Sequence, residues 1–244
     1  MQHINKAYHF QFNTKITEAS HVRKIKTIHF FRDVSITLFA NDELFLRYQL
    51  FTSKITINSN YALPNCYLIR QMGYVFDEIE IGVNRQSGLI KKVYNLKKIQ
   101  ERWAIIKAKL EIDNIGAIVE AMFLTITNVL HNEKELIAFL SDYKMFGLYF
   151  SSITDDRSLL EKPINQPKIL SDFDNHTITE LFLPKKDKPN AFGISEKIIE
   201  DNKVFFFDRY SGELEYENNQ VYQAYLEVKK EKTHILYCVN RIEK

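Results

Sequence analysis

The stretch that decides the predicted fold runs from Asn95 to Phe150 and reads NLKKIQERWAIIKAKLEIDNIGAIVEAMFLTITNVLHNEKELIAFLSDYKMFGLYF. Its first part carries apolar residues at spacings of three and four: Leu96, Ile99, Trp103, Ile106 and Leu110. These residues fall on one stripe of a helix, with charged residues on the other faces. Asn95 stands just before them, and an Asn side chain there can accept a hydrogen bond from a first-turn N–H. The pattern predicts an amphipathic helix with one buried side.

Two further helices are predicted in the same stretch. The second has an apolar stripe formed by Ile118, Met122, Ile126 and Leu130. The third buries Leu136, Phe139, Leu140 and Tyr143. It begins at Asn132, where Glu135 completes a capping box, and Gly147 is expected to end it. Three helices with apolar stripes must cover each other or a sheet.

The residues on both sides of the helical stretch alternate between apolar and polar, as half-buried strands do. Ile79, Ile81 and Val83 face one way, and Glu78 and Glu80 face the other. Arg32 interrupts the apolar face of residues 26–40, which predicts a bulge or a bend at that point. The flanking segments are therefore predicted to be sheet.

We predict an α+β protein in the order strands, helices, strands. Its sheet is curved and mostly antiparallel, and the three central helices pack on one face. Residues 1–244 are treated as a single domain. It comprises an N-terminal β segment at 1–94, a helical segment at 95–150, a long irregular connection at 151–190 and a C-terminal β meander at 191–244. Four of the five prolines, which break regular structure, fall in the connection.

The composition is that of a globular chain, with 45% hydrophobic and 26% charged residues. A net charge of +2 is too small to indicate a nucleic-acid partner, and we predict none. The first residues lack a secretory signal, and no apolar run approaches the ~20 residues of a membrane helix. We expect a soluble, cytoplasmic protein without a transmembrane segment. Cys66 and Cys238 are too few for a disulfide scaffold, and two buried free thiols are expected.

The sequence lacks the short motifs that mark common catalytic sites. It has neither a glycine-rich phosphate loop nor a G-x-S-x-G elbow, and its seven histidines form no metal-binding motif. The densest polar cluster is Asp172, Asp174 and His176. It lacks the glycine and the later Glu of a calcium loop. We predict no cofactor, no metal and no catalytic residue, and retain these three side chains as the candidate polar site.

Three functions stay open on the sequence alone. The first, which we favour, is a non-enzymatic protein that binds another protein as an adaptor, a structural component or a toxin-neutralising partner. Aromatic-rich strands whose edges or faces could pair with a partner are its basis. The second is a carrier of a hydrophobic small ligand, held in a cavity between sheet and helices. The third is an enzyme with its site in residues 151–190, since long loops often carry functional residues.

Overall fold

The computed structural model describes residues 5–19, 25–151, 162–188, 190–197, 206–218 and 220–242, and within them the chain forms one antiparallel sheet of eleven strands. The strands are β1 Ala7–Ala19, β2 Ile25–Asn41, β3 Phe45–Ser59, β4 Glu78–Asn84, β5 Ile90–Val93, β6 Ile164–Leu170, β7 His176–Pro184, β8 Ala191–Glu196, β9 Arg209–Glu217, β10 Gln220–Lys230 and β11 Thr233–Ile242. The helices are α1 Cys66–Gly73, α2 Leu96–Asp113, α3 Ala117–Val129 and α4 Glu133–Leu140. Short 3₁₀ turns lie at Tyr74–Phe76 and Ser171–Phe173. Over these ranges, none of the helices combines the length and the apolar character needed to cross a bilayer.

The strand order places β1 and β11 side by side in the sheet. It runs β5-β4-β3-β2-β1-β11-β10-β9-β8-β7-β6. Phe12 on β1 lies opposite Val239 on β11 and Arg32 on β2. Two meanders, β1–β5 and β6–β11, are therefore joined by the hydrogen-bonded ladder between β1 and β11.

One face of the sheet carries buried apolar side chains across its whole width. They include Phe10, Val34, Leu50, Ile81, Phe182, Ile194, Leu214, Leu226 and Tyr237. Successive side chains of a strand point to opposite faces, so polar residues alternate with them on the outer face. This alternation specifies the register, because a slip of one residue would turn the apolar set of a strand toward water.

The sheet bends strongly around its apolar face. Six strands separate β2 from β6. With neighbouring strands about 4.8 Å apart, a flat sheet would hold the two more than about 30 Å from each other. Arg32 on β2 and Lys168 on β6 nevertheless line the same cleft. The bend brings these distant strands together.

The apolar face packs against residues 141–151, the segment that follows α4. The ring of Phe146 lies 5.3 Å from that of Phe12, and the ring of Tyr149 lies 4.9 Å from that of Phe10, both edge to face. All four rings are buried. Burying such a side chain contributes about 1.5–3 kcal/mol, so this segment supplies a large part of the core.

The predicted α+β class, with three central helices packed on one face of the sheet, is wrong. Of the described residues, 51% lie in strands and 25% in helices, and they form mainly one large antiparallel sheet. The buried stripe of α2 meets α3: the Trp103 ring lies 5.7 Å from that of Phe123, and its Nε1 donates to Thr127 at 3.0 Å. Part of the apolar stripe of α2 therefore packs on α3, whereas Ile118 of the predicted α3 stripe is 71% exposed. The irregular chain after α4 covers much of the sheet. The third predicted helix corresponds to α4, which ends at Leu140, well before Gly147.

Residues 151–190, expected to be a long irregular connection, contain β6 and β7. Residues 152–161 lie outside the described ranges. Pro167 belongs to β6, the last strand of the sheet, where a residue without an N–H can be accommodated at the free edge. This edge forms one wall of the cleft described below.

The two cysteines are free, as predicted, and each is partly buried. Cys66 begins α1, whereas Cys238 lies on β11. Burial raises the pKa of the Cys238 thiol, which favours its unreactive protonated form.

Candidate functional site

A cleft of about 660 Å³ opens where β6 approaches α4 and the segment that follows it. Its apolar lining comes from Val129, Ala138, Phe139, Met145, Pro167 and Ile169. Its polar lining comes from Arg32, Glu135, Ser141, Asp142, Lys144, Lys168, Ser171 and Asn175. Although polar residues outnumber apolar ones, most of the wall area is apolar, and Ile169 is 60% exposed although it is a large aliphatic residue. Apolar walls with a few polar groups are typical of small-molecule sites.

Arg32 brings a cation from the apolar face of the sheet into the cleft. Its Nη1 donates to the carbonyl oxygen of Lys144 at 2.5 Å. Among the described residues it forms no direct ion pair, although the carboxylate of Asp142 is near enough to stabilise its charge. Loss of water lowers the pKa of Arg32 to about 10, and Asp142 opposes that shift.

Lys168 supplies a second cation from the edge strand β6. Its Nζ donates to the carbonyl oxygen of Ser141 at 2.7 Å and lies 3.7 Å from the centroid of the Tyr143 ring. Burial lowers the pKa of the Lys168 ammonium, while the carboxylates of Glu180 and Asp142 oppose that change. Within the described ranges Lys168 also lacks a carboxylate at ion-pair distance.

Lys144, the third cation, is paired. Its Nζ forms an ion pair with Asp172, whose other carboxylate oxygen accepts from the Tyr237 hydroxyl at 2.6 Å. The neighbouring Asp142 accepts from the Lys144 N–H at 2.9 Å and from the Ser171 hydroxyl. These bonds fix the segment after α4 against the end of β6.

The predicted polar site, Asp172, Asp174 and His176, lies beside the cleft, where its members have different partners. Asp172 holds Lys144 as described. Asp174 adopts a φ of 54° at the end of a 3₁₀ turn. The His176 ring stacks on that of Phe206, with the centroids 3.3 Å apart. Within the described parts of the chain, His, Cys, Asp and Glu side chains form no group of three that could hold a metal ion.

The Glu180 carboxylate and its hydrogen-bond partners form a buried cluster behind the part of the cleft wall that Lys168 supplies. Glu180 is fully buried and accepts hydrogen bonds from the hydroxyls of Tyr143 and Tyr210, and from the Gln166 amide at 3.1 Å. Burial, and next the nearby negative charge of Glu180, raise the pKa of both tyrosines well above the ordinary value, so they remain donors. The cluster orients the Tyr143 ring on which Lys168 rests.

The sequence analysis did not predict the cleft or the Glu180 cluster, but it did single out one residue of the cleft, Arg32. Arg32 was singled out because it interrupts an apolar face. The register between β2 and β3 does shift between Asp33 and Val34, which is the predicted irregularity. Lys168 and Glu180 each occupy an inward position of an alternating strand, and that signal could have identified them.

Comparisons with known proteins add little to this geometry. No family model matches the sequence, and no curated protein matches it significantly. Among solved structures, the chain is similar to lipovitellin in a structure concerned with lipid–protein interactions, with a TM-score of 0.48 and 9% identity. The match covers 99% of this chain and 25% of that one. At this TM-score the likeness supports no conclusion about function.

Proposed function

We propose that this protein binds a small hydrophobic or amphiphilic molecule in the cleft between β6, α4 and residues 141–145. The observation that carries the proposal is the cleft itself, with its volume of about 660 Å³ and its mostly apolar walls. Pockets that bind small ligands typically measure about 300–1,000 Å³ and are lined in this way. The sequence-based hypothesis placed such a ligand in a cavity between the sheet and the helices. In the structure, residues 141–151 pack buried aromatic rings against the sheet there, and the proposed ligand site is the cleft beside β6.

Filling the cleft tests this proposal. Ala138 lies on α4 and lines the cleft, so Ala138→Trp should block it. Ala104→Trp is the matched control, because Ala104 is an exposed alanine on α2 outside the cleft. Binding of decanoate and decanol is measured by titration calorimetry. The proposal requires that the unchanged protein and the control bind at least one of them and that Ala138→Trp binds neither. Equal binding by all three proteins would place the ligand elsewhere.

Binding of another protein is a second candidate, supported by an exposed apolar ridge on α2 and the turn after it. Ile112 is 74% exposed and Ile115 86% exposed, and Ile105 is also exposed. Within α2, Ile105, Ala108 and Ile112 follow a 3–4 spacing, the pattern of a seam between packed helices, and Ile115 lies just beyond the end of the helix. The partner this ridge fits is an amphipathic helix of another protein.

A photo-crosslinking residue placed at position 112 tests the second candidate in the native host. The expected result is one discrete adduct that is lost when Ile105→Lys is added. The same crosslinker at Lys54, an exposed position on β3, is the control. An identical adduct pattern from both positions, or none from position 112, would reject this candidate. An adduct of twice the chain mass would show self-association instead.

A further inference from the structure

The cations of the proposed ligand cleft differ in how their charge is balanced. Lys144 is paired with Asp172. Within the described ranges, Arg32 and Lys168 have no such pair, and each donates one hydrogen bond to a protein acceptor, a backbone carbonyl. A guanidinium carries five N–H donors and an ammonium three. The described residues therefore use only a small part of the donor capacity of these two cations.

Within the described ranges, neither of the two carboxylates that line the cleft, Glu135 and Asp142, forms an ion pair with Arg32 or Lys168. Asp142 attracts both Arg32 and Lys168, but its oxygens already accept from the Ser171 hydroxyl and the Lys144 N–H. Charged groups held away from water are costly unless they are paired and hydrogen-bonded. A group that brings negative charge and several acceptor oxygens meets both needs, whereas a neutral head meets only one of them.

We propose that the cleft selects amphiphiles with a single anionic head group, which is bound by Arg32 and Lys168, while the apolar body lies against Phe139, Met145 and Ile169. A carboxylate and a phosphate monoester share this chemistry. The inference rests on the proposed function, because it names the class of ligand for the same cleft.

The position of Arg32 gives the head group a defined place. Arg32 also lines a smaller cavity of about 130 Å³, together with Thr14, Ile16, Phe30 and Lys144. It therefore lies between that cavity and the larger cleft. An anion bound to Arg32 would lie at the end of the cleft next to the smaller cavity, and the apolar body would contact the exposed Ile169.

Calorimetry of the full chain with three ten-carbon ligands tests the proposal: decanoate, decyl phosphate and decanol. The expected result is that at least one anion binds ten times or more tighter than decanol, the effect of about one charge-assisted hydrogen bond. Arg32→Gln and Lys168→Gln should each remove most of this preference, because each should weaken the binding of the anions much more than the binding of decanol. Lys54→Gln removes an exposed cation outside the cleft and should change nothing.

Each outcome decides between the two proposals. Equal binding of decanol and both anions would overturn the head-group inference and leave the proposed function standing. Binding of none of the three would overturn both. An anion preference that survives both glutamine variants would also overturn the inference. If Arg32→Gln does not fold, Lys168→Gln and the ligand series on the unchanged protein still give the answer, and whichever anion binds tighter identifies the head group.

Discussion

Replacing Gly147 with alanine adds a single methyl group, yet it should destabilise the structure substantially. A Cβ atom built there would lie 2.0 Å from the carbonyl oxygen of Ser141 and 2.7 Å from its carbonyl carbon. Both are backbone atoms, and the turn is closed by the Gly147 N–H bond to Asp142 at 3.0 Å. The turn must open before Gly147→Ala can be accommodated. Overpacking of this kind costs about 1–3 kcal/mol, and rigid backbone places the cost at the upper end.

Thermal unfolding followed by circular dichroism measures that cost. For a chain of this size, about 2–3 kcal/mol corresponds to a fall in Tm of roughly 5–10 °C. Gly193→Ala is the matched control, because the nearest atoms to a Cβ there are 3.9 Å away. Its free energy of unfolding should change by no more than about 0.5 kcal/mol. Since Ser141 also accepts from Lys168, Gly147→Ala should weaken ligand binding too. Equal Tm values for the two variants would refute the tight turn after α4.

Three other perturbations test the core, the outer ion pairs and a helix cap. Phe146→Ala should cost about 3–5 kcal/mol in urea unfolding because that ring is buried, whereas Phe51→Ala, at a half-exposed ring on the outer side, should cost much less. Hydrogen bonds from Lys185 and Lys188 lower the pKa of Glu213 from 4.5 to about 2. Its stabilising effect is thus complete above pH 4.5 and lost as the pH falls toward 2, so unfolding free energies of the unchanged protein and Glu213→Gln should converge there. The Asn132 side chain accepts from a first-turn N–H of α4, and Asn132→Ala should cost about 1 kcal/mol, measured in the same way.

The local elements were predictable because local patterns determine them. The strand alternation that gives Ile79, Ile81 and Val83 one face is visible in the sequence, and so is the cap at Asn132. The predicted α+β fold class was wrong because an apolar stripe indicates that one side of a helix is buried but does not indicate which surface it packs against. Trp103 packs on α3, and the sheet is covered instead by an aromatic segment whose turn depends on Gly147. A glycine after a helical pattern predicts an end to the helix, whereas here the chain needs it for close approach to Ser141.

The candidate site could not be read from the sequence because it depends on the bend of the sheet. Arg32 and Lys168 belong to strands separated by six others, so neither their spacing in sequence nor a motif could pair them. Their shared feature is local: each places a cation at an inward position of an alternating strand, where an apolar side chain would pack better. Such a cation lowers stability unless another group compensates it. The Glu180 cluster and the backbone carbonyls of residues 141 and 144 compensate in part, and both cations line the cleft. The loss of stability from holding two cations there is explained if the ligand is an anion that pairs with both of them.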